Sequence, residues 1–195
     1  MKKLSLLMAL ILIFLSITGC SNQLAIKDLN FEISEENIEK FLSGVFKEID
    51  GYDVELSNID ISHDVDSYKF MQACVKLQTN GLEKDSFYID FYPKRNSGST
   101  KLYYIELSSG YFRSETDSEY LGFKILIEAI EKHLSQESKF KEKVHTIPSF
   151  SYGFDYEKSK VSYYLQDNKY ECTIRGRDTM GYVGYTFRIK DSSIS

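Results

Sequence analysis

The residues best suited to holding a metal are three histidines, His63, His133 and His145. They lie far apart, and none has a second His or Cys at zinc-ligand spacing. The stretch His63-Asp64-Val65-Asp66 is the richest in ligands but lacks the later Gly and Glu of a calcium loop, so no metal and no cofactor is expected. There is no Gly-x-Ser-x-Gly, Ser-x-x-Lys, His-Glu-x-x-His or glycine-rich phosphate loop, and no catalytic residue stands out. Of the crowded carboxylates Glu115, Asp117 and Glu119, the last two suit the start of a helix. Arg175-Gly176-Arg177 reads as a compact cationic turn able to take a phosphate or carboxylate. Cys74 and Cys172 have opposed phases on their strands, which argues against a disulfide between them.

Tyrosine is the more informative residue, with 15 in the chain and no Trp. On the predicted strands Tyr88 and Tyr92 flank Asp90, opposite Phe87, Ile89 and Phe91. Tyr104 alternates against Tyr103, Ile105 and Leu107, Tyr164 against Val161, Tyr163 and Leu165, and Tyr182 against Val183, Tyr185, Phe187 and Ile189. If helices cover the apolar side, Tyr88, Tyr92, Tyr104, Tyr164 and Tyr182 line the other side. Tyrosine offers rigid contact area with a polar tip, the chemistry of a surface that recognises a peptide, a glycan or a protein.

The N-terminus carries a different kind of chemistry. Lys2 and Lys3 precede an apolar run from Leu6 to Leu15, shorter than the roughly 20 residues that span a bilayer, and Ile17-Thr18-Gly19-Cys20 follows. These four residues resemble the lipobox of bacterial membrane lipoproteins: an aliphatic residue, a tolerated residue, Gly or Ala, then the modified cysteine. The resemblance covers residues 1–20. It implies a signal peptide over 1–19, a diacylglycerol on Cys20, and a cell-membrane location, lipid-anchored on the extracytoplasmic face. Two acyl chains hold stably where one does not. Losing Lys2 and Lys3 would take the formal charge from −5 to −7. In general build the chain is also similar to the lantibiotic-immunity lipoproteins of Gram-positive bacteria.

The elements that must position these residues follow from periodicity. Ser34, then Glu35 and Glu36, form a helix start, and Ile38, Phe41, Leu42, Val45, Phe46 and Ile49 share one helical face. After Gly51 the period drops to two. Strands are predicted over Val54–Ile61 with a bulge at Ser57 and Asn58, over Tyr68–Gln78, through Phe87–Phe91 after an Asn80-Gly81 turn, and from about Lys101. Thr116 and Glu119 have capping-box spacing ahead of a second, denser helix over Asp117–Leu134. Strands at Val161–Gln166, Lys169–Arg175 and Tyr182–Lys190 complete the chain, the first two joined at Asp167-Asn168.

The expected fold is therefore α+β: a mainly antiparallel sheet of about seven strands with two helices packed on one face. The expected layout is a lipidated cysteine and tether over 20–33 and a single domain over 34–195, with a two-fold rhythm of helix then strands in halves near 34–115 and 116–195. A pI of 5.3 argues against a nucleic-acid partner. The functional expectation is a membrane-anchored, non-catalytic binding or immunity-type module for a peptide, an envelope component or a partner protein. The alternatives are an envelope hydrolase using carboxylates from separate strands, and a structural subunit of a membrane complex.

Overall fold

The computed structural model describes residues 25–63, 68–78, 84–95, 98–110, 117–145, 159–179 and 182–194. The expected signal peptide over 1–19, Cys20, the expected Asn80-Gly81 turn, Asp64–Asp66, and Glu115 and Thr116 ahead of the second helix fall outside these residues.

Helix α1 spans Glu35–Phe46, with the Ser34 hydroxyl accepting from the Asn37 N–H at 3.3 Å. It ends three residues before the expected Ile49. There the N–H groups of Glu48 and Ile49 turn back to the carbonyls of Val45 and Phe46, the tighter bonding that commonly closes a helix. Strands β1 (Asp53–His63), β2 (Lys69–Gln78), β3 (Asp85–Pro93) and β4 (Leu102–Ser108) follow. Helix α2 spans Ser118–Ser135 and ends where Gln136 adopts a left-handed φ of 62°. A short helix α3 (Phe140–Val144), for which no element was expected, follows. Strands β5 (Lys160–Leu165), β6 (Tyr170–Thr179) and β7 (Tyr182–Asp191) complete the fold.

The seven strands form one sheet in the order β1-β2-β3-β4-β7-β6-β5, all pairings antiparallel. Each half of the chain is a meander, and the last strands of the two halves, β4 and β7, meet at the centre. The expected bulge in β1 lies between Leu56 and Asn58. Between β5 and β6, Asp167 and Asn168 both have positive φ, as a tight turn matched to strand twist requires.

One core runs between the sheet and the helices. Phe41 of α1 meets Phe91 of β3 edge-on, with ring centroids 6.2 Å apart, and Ala73, Val75, Leu77, Phe87 and Ile89 are buried beside them. Close packing of the helices depends on two glycines: a Cβ at Gly122 would collide with the Phe87 ring, and one at Gly44 with the His133 ring. Cys172 lies in this core, whereas Cys74 lies across the sheet from it opposite Tyr88. Neither is in a disulfide.

The stretch expected as a tether over 20–33 is, from residue 25, part of the body. Leu29 and Phe31 are buried in the core, Glu32 bridges to Lys101, and the Ile33 N–H donates to the Thr100 carbonyl at 2.7 Å. His133 of α2 bonds the Ile26 carbonyl at 2.6 Å. Apolar residues spaced too irregularly for a helix or strand gave no periodic signal, yet burial of two large side chains is enough to fix the segment.

Glu131 of α2 sits at the junction of α2, α3 and β5 and is fully buried. One carboxylate oxygen accepts from the Ser138 hydroxyl at 2.6 Å and from the N–H groups of Lys139 and Phe140 at 2.9 and 3.1 Å. The other accepts from the Tyr163 hydroxyl. Burial pushes the Glu131 carboxyl above its ordinary range, against the pull of these donors, and burial together with the Glu131 charge raises the Tyr163 phenol. Glu131 thereby caps α3 and fastens it to β5.

Candidate functional site

The described helices lie on one face of the sheet, and none of them covers the other. Because side chains alternate along a strand, the open face carries the polar phase of every strand, aligned by register. One cross-strand row reads Asp60, Gln72, Asp90, Glu106, Arg188, Thr173, Ser162 from edge to edge. It is acidic over β1–β4 and turns cationic at β7.

A hollow of about 360 Å³ lies over β4, β7, β6 and β5 on this face. Tyr103 and Tyr104 line it from β4, and Lys160 from β5. Across β6 and β7 the pattern interlocks: Glu171 faces Lys190, Thr173 faces Arg188, and Arg175 faces Thr186. Each arginine is thus registered against a threonine. The short threonines flanked by long side chains account for the concavity.

Arg188 is held in place by its surroundings. Its Nε donates to Glu106 Oε2 at 3.0 Å, a second guanidinium N–H reaches the same oxygen, and its Cζ stands 4.2 Å from the Tyr104 ring centre. Burial works against the charge on Arg188, but the hydrogen bond and charge of Glu106 outweigh it, and the guanidinium is raised above its ordinary value. Burial pushes the Tyr104 phenol up to about 12. Tyr104 is the end of an aromatic stack, with Tyr92 at 4.6 Å and Phe70 a further 4.5 Å on. The second ion pair of the hollow joins Lys190 to Glu171 at 3.1 Å.

The tyrosines expected on this face divide into groups. Tyr88 and Tyr164 are exposed, 51% and 46%, as their phase required. Tyr104 is half-buried in the hollow. Tyr92 is only 9% exposed, because Phe70 and Tyr104 enclose its ring, so its area is spent on packing rather than offered to a ligand. Tyr182 opens β7, and its side chain lies outside the described residues. Tyr103, expected on the apolar side, lines the hollow instead. The register slips between Tyr92 and Pro93, whose partners are Tyr104 and Leu102, so Tyr103 is the extra residue of a bulge.

Arg175-Gly176-Arg177 is not a turn. All three residues lie within β6, whose pairing with β7 continues to Thr179 and Tyr182. The glycine suggested a loop end, but the unbroken register of 175–179 against β7 outweighs one weak strand former. Arg175 faces the hollow, while the side chain of Arg177 lies outside the described residues. Sequence reasoning missed Tyr103, Glu106, Lys160, Glu171, Thr173, Thr186, Arg188 and Lys190. Their signal was available in part: the polar residues at 171, 173 and 175 and at 186, 188 and 190 alternate with Cys172, Ile174, Phe187 and Ile189.

Among the described residues no group of three or more His, Cys, Asp or Glu could hold a metal. His63 ends β1, His133 is bonded to Ile26, and His145 caps the end of α3.

Beside the hollow, Asp90 accepts from the Gln72 amide at 2.7 Å, and its carboxyl rises from its ordinary 3.8 to about 6 through burial, opposed by Gln72 and aided by the Glu106 charge. A carboxyl raised in the folded state stabilises the fold fully below its unfolded value, and this contribution is lost as pH rises through the folded value. Asp90 is therefore expected to pull the melting temperature down between pH 4 and 6, and Asp90→Asn to remove that pull, while Glu36 and Glu142, lowered by Lys40 and Lys143, act in the opposite direction in both proteins. Glu131 contributes in the same direction, so melts of wild type and Asp90→Asn across this range isolate Asp90. Parallel curves would contradict the assignment.

Among the described residues no helix is long and apolar enough to cross a membrane. Compared with protein-family models, with curated proteins and with solved structures, the chain finds no match.

Proposed function

We propose that this protein is a non-catalytic recognition module, held on the extracytoplasmic face of the cell membrane by a lipid on Cys20, that receives its ligand on the helix-free face of the sheet. The observation that carries this reading is the hollow, a concave site built from four strands and lined by Tyr103 and Tyr104, on a face that no described helix covers. The anchor rests on the lipobox resemblance of Ile17-Thr18-Gly19-Cys20. Cys20 is five residues from Ala25, about 18 Å at full extension. Ala25 and Ile26 lie against Gly44 of α1 and His133 of α2. An anchor there holds the helical layer toward the bilayer and presents the hollow outward.

One observation favours a hydrolase instead: Glu106 and Glu171, from separate strands, share the hollow. Each is engaged by a cation, Arg188 and Lys190 respectively, whereas a carboxylic acid that protonates a leaving group needs surroundings that keep it neutral. A structural subunit calls for a broad apolar patch. The exposed large apolar side chains among the described residues are Tyr52, Ile61, Tyr88 and Tyr164, three of them with a polar tip.

The test is a paired one. Cys20→Ala is expected to abolish labelling by a fatty acid and to release the protein from membranes. Tyr103→Ser, in the wall of the hollow, combined with Tyr88→Ser and Tyr164→Ser on the same face is expected to abolish capture of envelope peptides, glycans or proteins while each exposed position, Tyr88 and Tyr164, shifts stability by no more than about 1 kcal/mol. Equal labelling would refute the anchor, and unchanged capture the recognition face.

A further inference from the structure

The polar side chains of the hollow come in pairs made by the strand register. Glu106 bonds Arg188 from β4 to β7, and Glu171 bonds Lys190 from β6 to β7. Two hydroxyl pairs stand beside them: Thr173 meets Ser162 and Thr186 meets Ser108, each with 3.2 Å between oxygens. Pairing uses only part of what each group can bond. Both bonds from Arg188 go to Glu106 Oε2, which leaves Oε1 and three of the five guanidinium N–H groups outside the pair. In the hydroxyl pairs either oxygen can be the donor, so their direction can turn to suit a ligand.

Such a lining selects its ligand by exclusion. An apolar ligand would strip water from charged groups and return no hydrogen bonds. An anion has to approach Glu106 and Glu171, and a cation Arg188 and Lys190, so either one loses to one member of a pair what it gains from the other. A neutral polyol meets no such conflict, because each of its hydroxyls both donates and accepts and can bond an acid and a base that stand side by side.

The aromatic wall supplies the complement. The Tyr103 and Tyr104 rings stand at 65° with centres 5.7 Å apart and form a corner of the hollow. Tyr104 is engaged by Tyr92 and Arg188, so the ring presented to a ligand is the part-exposed Tyr103. It stands there because the β4 bulge places two successive tyrosines in one wall, and bulges recur where a site needs a side chain re-aimed. The negative face of an aromatic ring attracts weakly polarised C–H groups, such as those on the flat side of a sugar ring.

We propose that the hollow binds an uncharged sugar ring, the pyranose unit of a glycan. Tyr103 stacks on the C–H side of the ring, the Glu106–Arg188 and Glu171–Lys190 pairs each hold neighbouring hydroxyls, and Thr173 and Thr186 bond between them. A volume of about 360 Å³ lies at the small end of ligand pockets, which run from about 300 to 1,000 Å³, and suits a short saccharide. The inference rests on reading the helix-free face as a recognition surface and gives that surface a ligand class.

The full chain, purified from membranes, is titrated with maltotriose, chitotriose, mannotriose and galactotriose, with succinate as an anion probe, and with trialanine blocked at both ends as an uncharged peptide probe. Binding is followed by saturation-transfer NMR. At least one trisaccharide is expected to bind saturably, with its affinity changing by less than about twofold as salt rises. Saturation is expected to be strongest on the C–H protons of one side of a sugar ring. Tyr103→Ala is expected to weaken binding by about tenfold and to erase that pattern, and Tyr103→Phe, which keeps the ring, to restore both. Thr173→Val, which removes a hydroxyl at nearly constant shape, is expected to weaken binding by about fivefold. Lys76→Gln, on β2 outside the hollow, is expected to change nothing, and its normal melt together with that of Thr173→Val guards against misfolding. No saccharide binding by wild type, binding that falls steeply with salt, equal binding by Tyr103→Ala, or succinate or blocked trialanine bound as tightly as the sugars would overturn the proposal. Capture lost in the combined Tyr88, Tyr103 and Tyr164 variant with no saccharide binding would fail this inference alone. Saccharide binding with capture unchanged would instead fail the wider recognition reading.

Discussion

Glu131→Ala is expected to lower stability by about 3–5 kcal/mol, the largest effect of any single polar substitution considered, because it strands several donors at once. The Phe140 N–H and the Tyr163 hydroxyl are buried and lose their acceptor, while the Lys139 N–H and the Ser138 hydroxyl lose theirs nearer the surface. Each buried orphan costs about 1–3 kcal/mol, and removing a desolvated carboxylate gives part of this back. For a chain of this size the melting temperature is expected to drop by about 6–20 °C. Glu131→Gln keeps one acceptor oxygen but turns a donor toward donors, and roughly half of the loss is expected. Glu128→Ala, one turn earlier on α2 and only part-buried, is the control and is expected to cost under about 0.5 kcal/mol. Thermal and urea unfolding of the three variants would check this, and a Glu131→Ala melt like that of Glu128→Ala would show that the carboxylate does not fasten α3.

The second large effect tests the two faces of β3 at adjacent positions. Phe91→Ala removes a fully buried ring that meets Phe41 edge-on and is expected to cost about 3–5 kcal/mol through lost transfer energy and the cavity left behind. Tyr92→Ser, on the opposite face, loses ring contacts to Tyr68, Phe70 and Tyr104, and about 2–3 kcal/mol is expected. Tyr88→Ser is expected to cost less than about 1 kcal/mol, since that ring is half in water. The order Phe91, Tyr92, Tyr88 in unfolding free energy is the outcome to check. If Tyr92→Ser were as mild as Tyr88→Ser, Tyr92 would belong to the exposed surface after all.

Much of this fold was legible in the sequence because its signals are local. The heptad-like spacing of Ile38, Phe41, Leu42 and Val45 and the cap at Ser34 define α1, and the alternation of Phe87, Ile89 and Phe91 with Tyr88 and Asp90 assigns both faces of β3. The same alternation placed Cys74 and Cys172 on opposite faces and put Tyr164 outward. Even the bulge at Ser57 left a phase slip that could be read. Burial of Tyr92 left none, since a tyrosine phased outward is exposed only if its cross-strand neighbours are small or polar. Here they are Phe70 and Tyr104, from two other strands.

By itself the sequence determined the seven strands and the two long helices, short of some of their ends, and which side of most of them is apolar, because those properties depend on neighbours a few positions away. The tertiary structure alone decided what stands beside what. The join of β4 to β7, which brings Glu106 against Arg188 across 82 residues of chain, depends on the closure of the whole sheet, and no local pattern encodes it. In the chain Lys160, Arg175, Arg188 and Lys190 are scattered among acidic and apolar residues and suggest no patch. Period-two projection on three paired strands gathers them into one hollow. Likewise Glu131 is one acid among many on a polar stretch, and only the docking of α3 and β5 against α2 makes it the buried acceptor that four donors share.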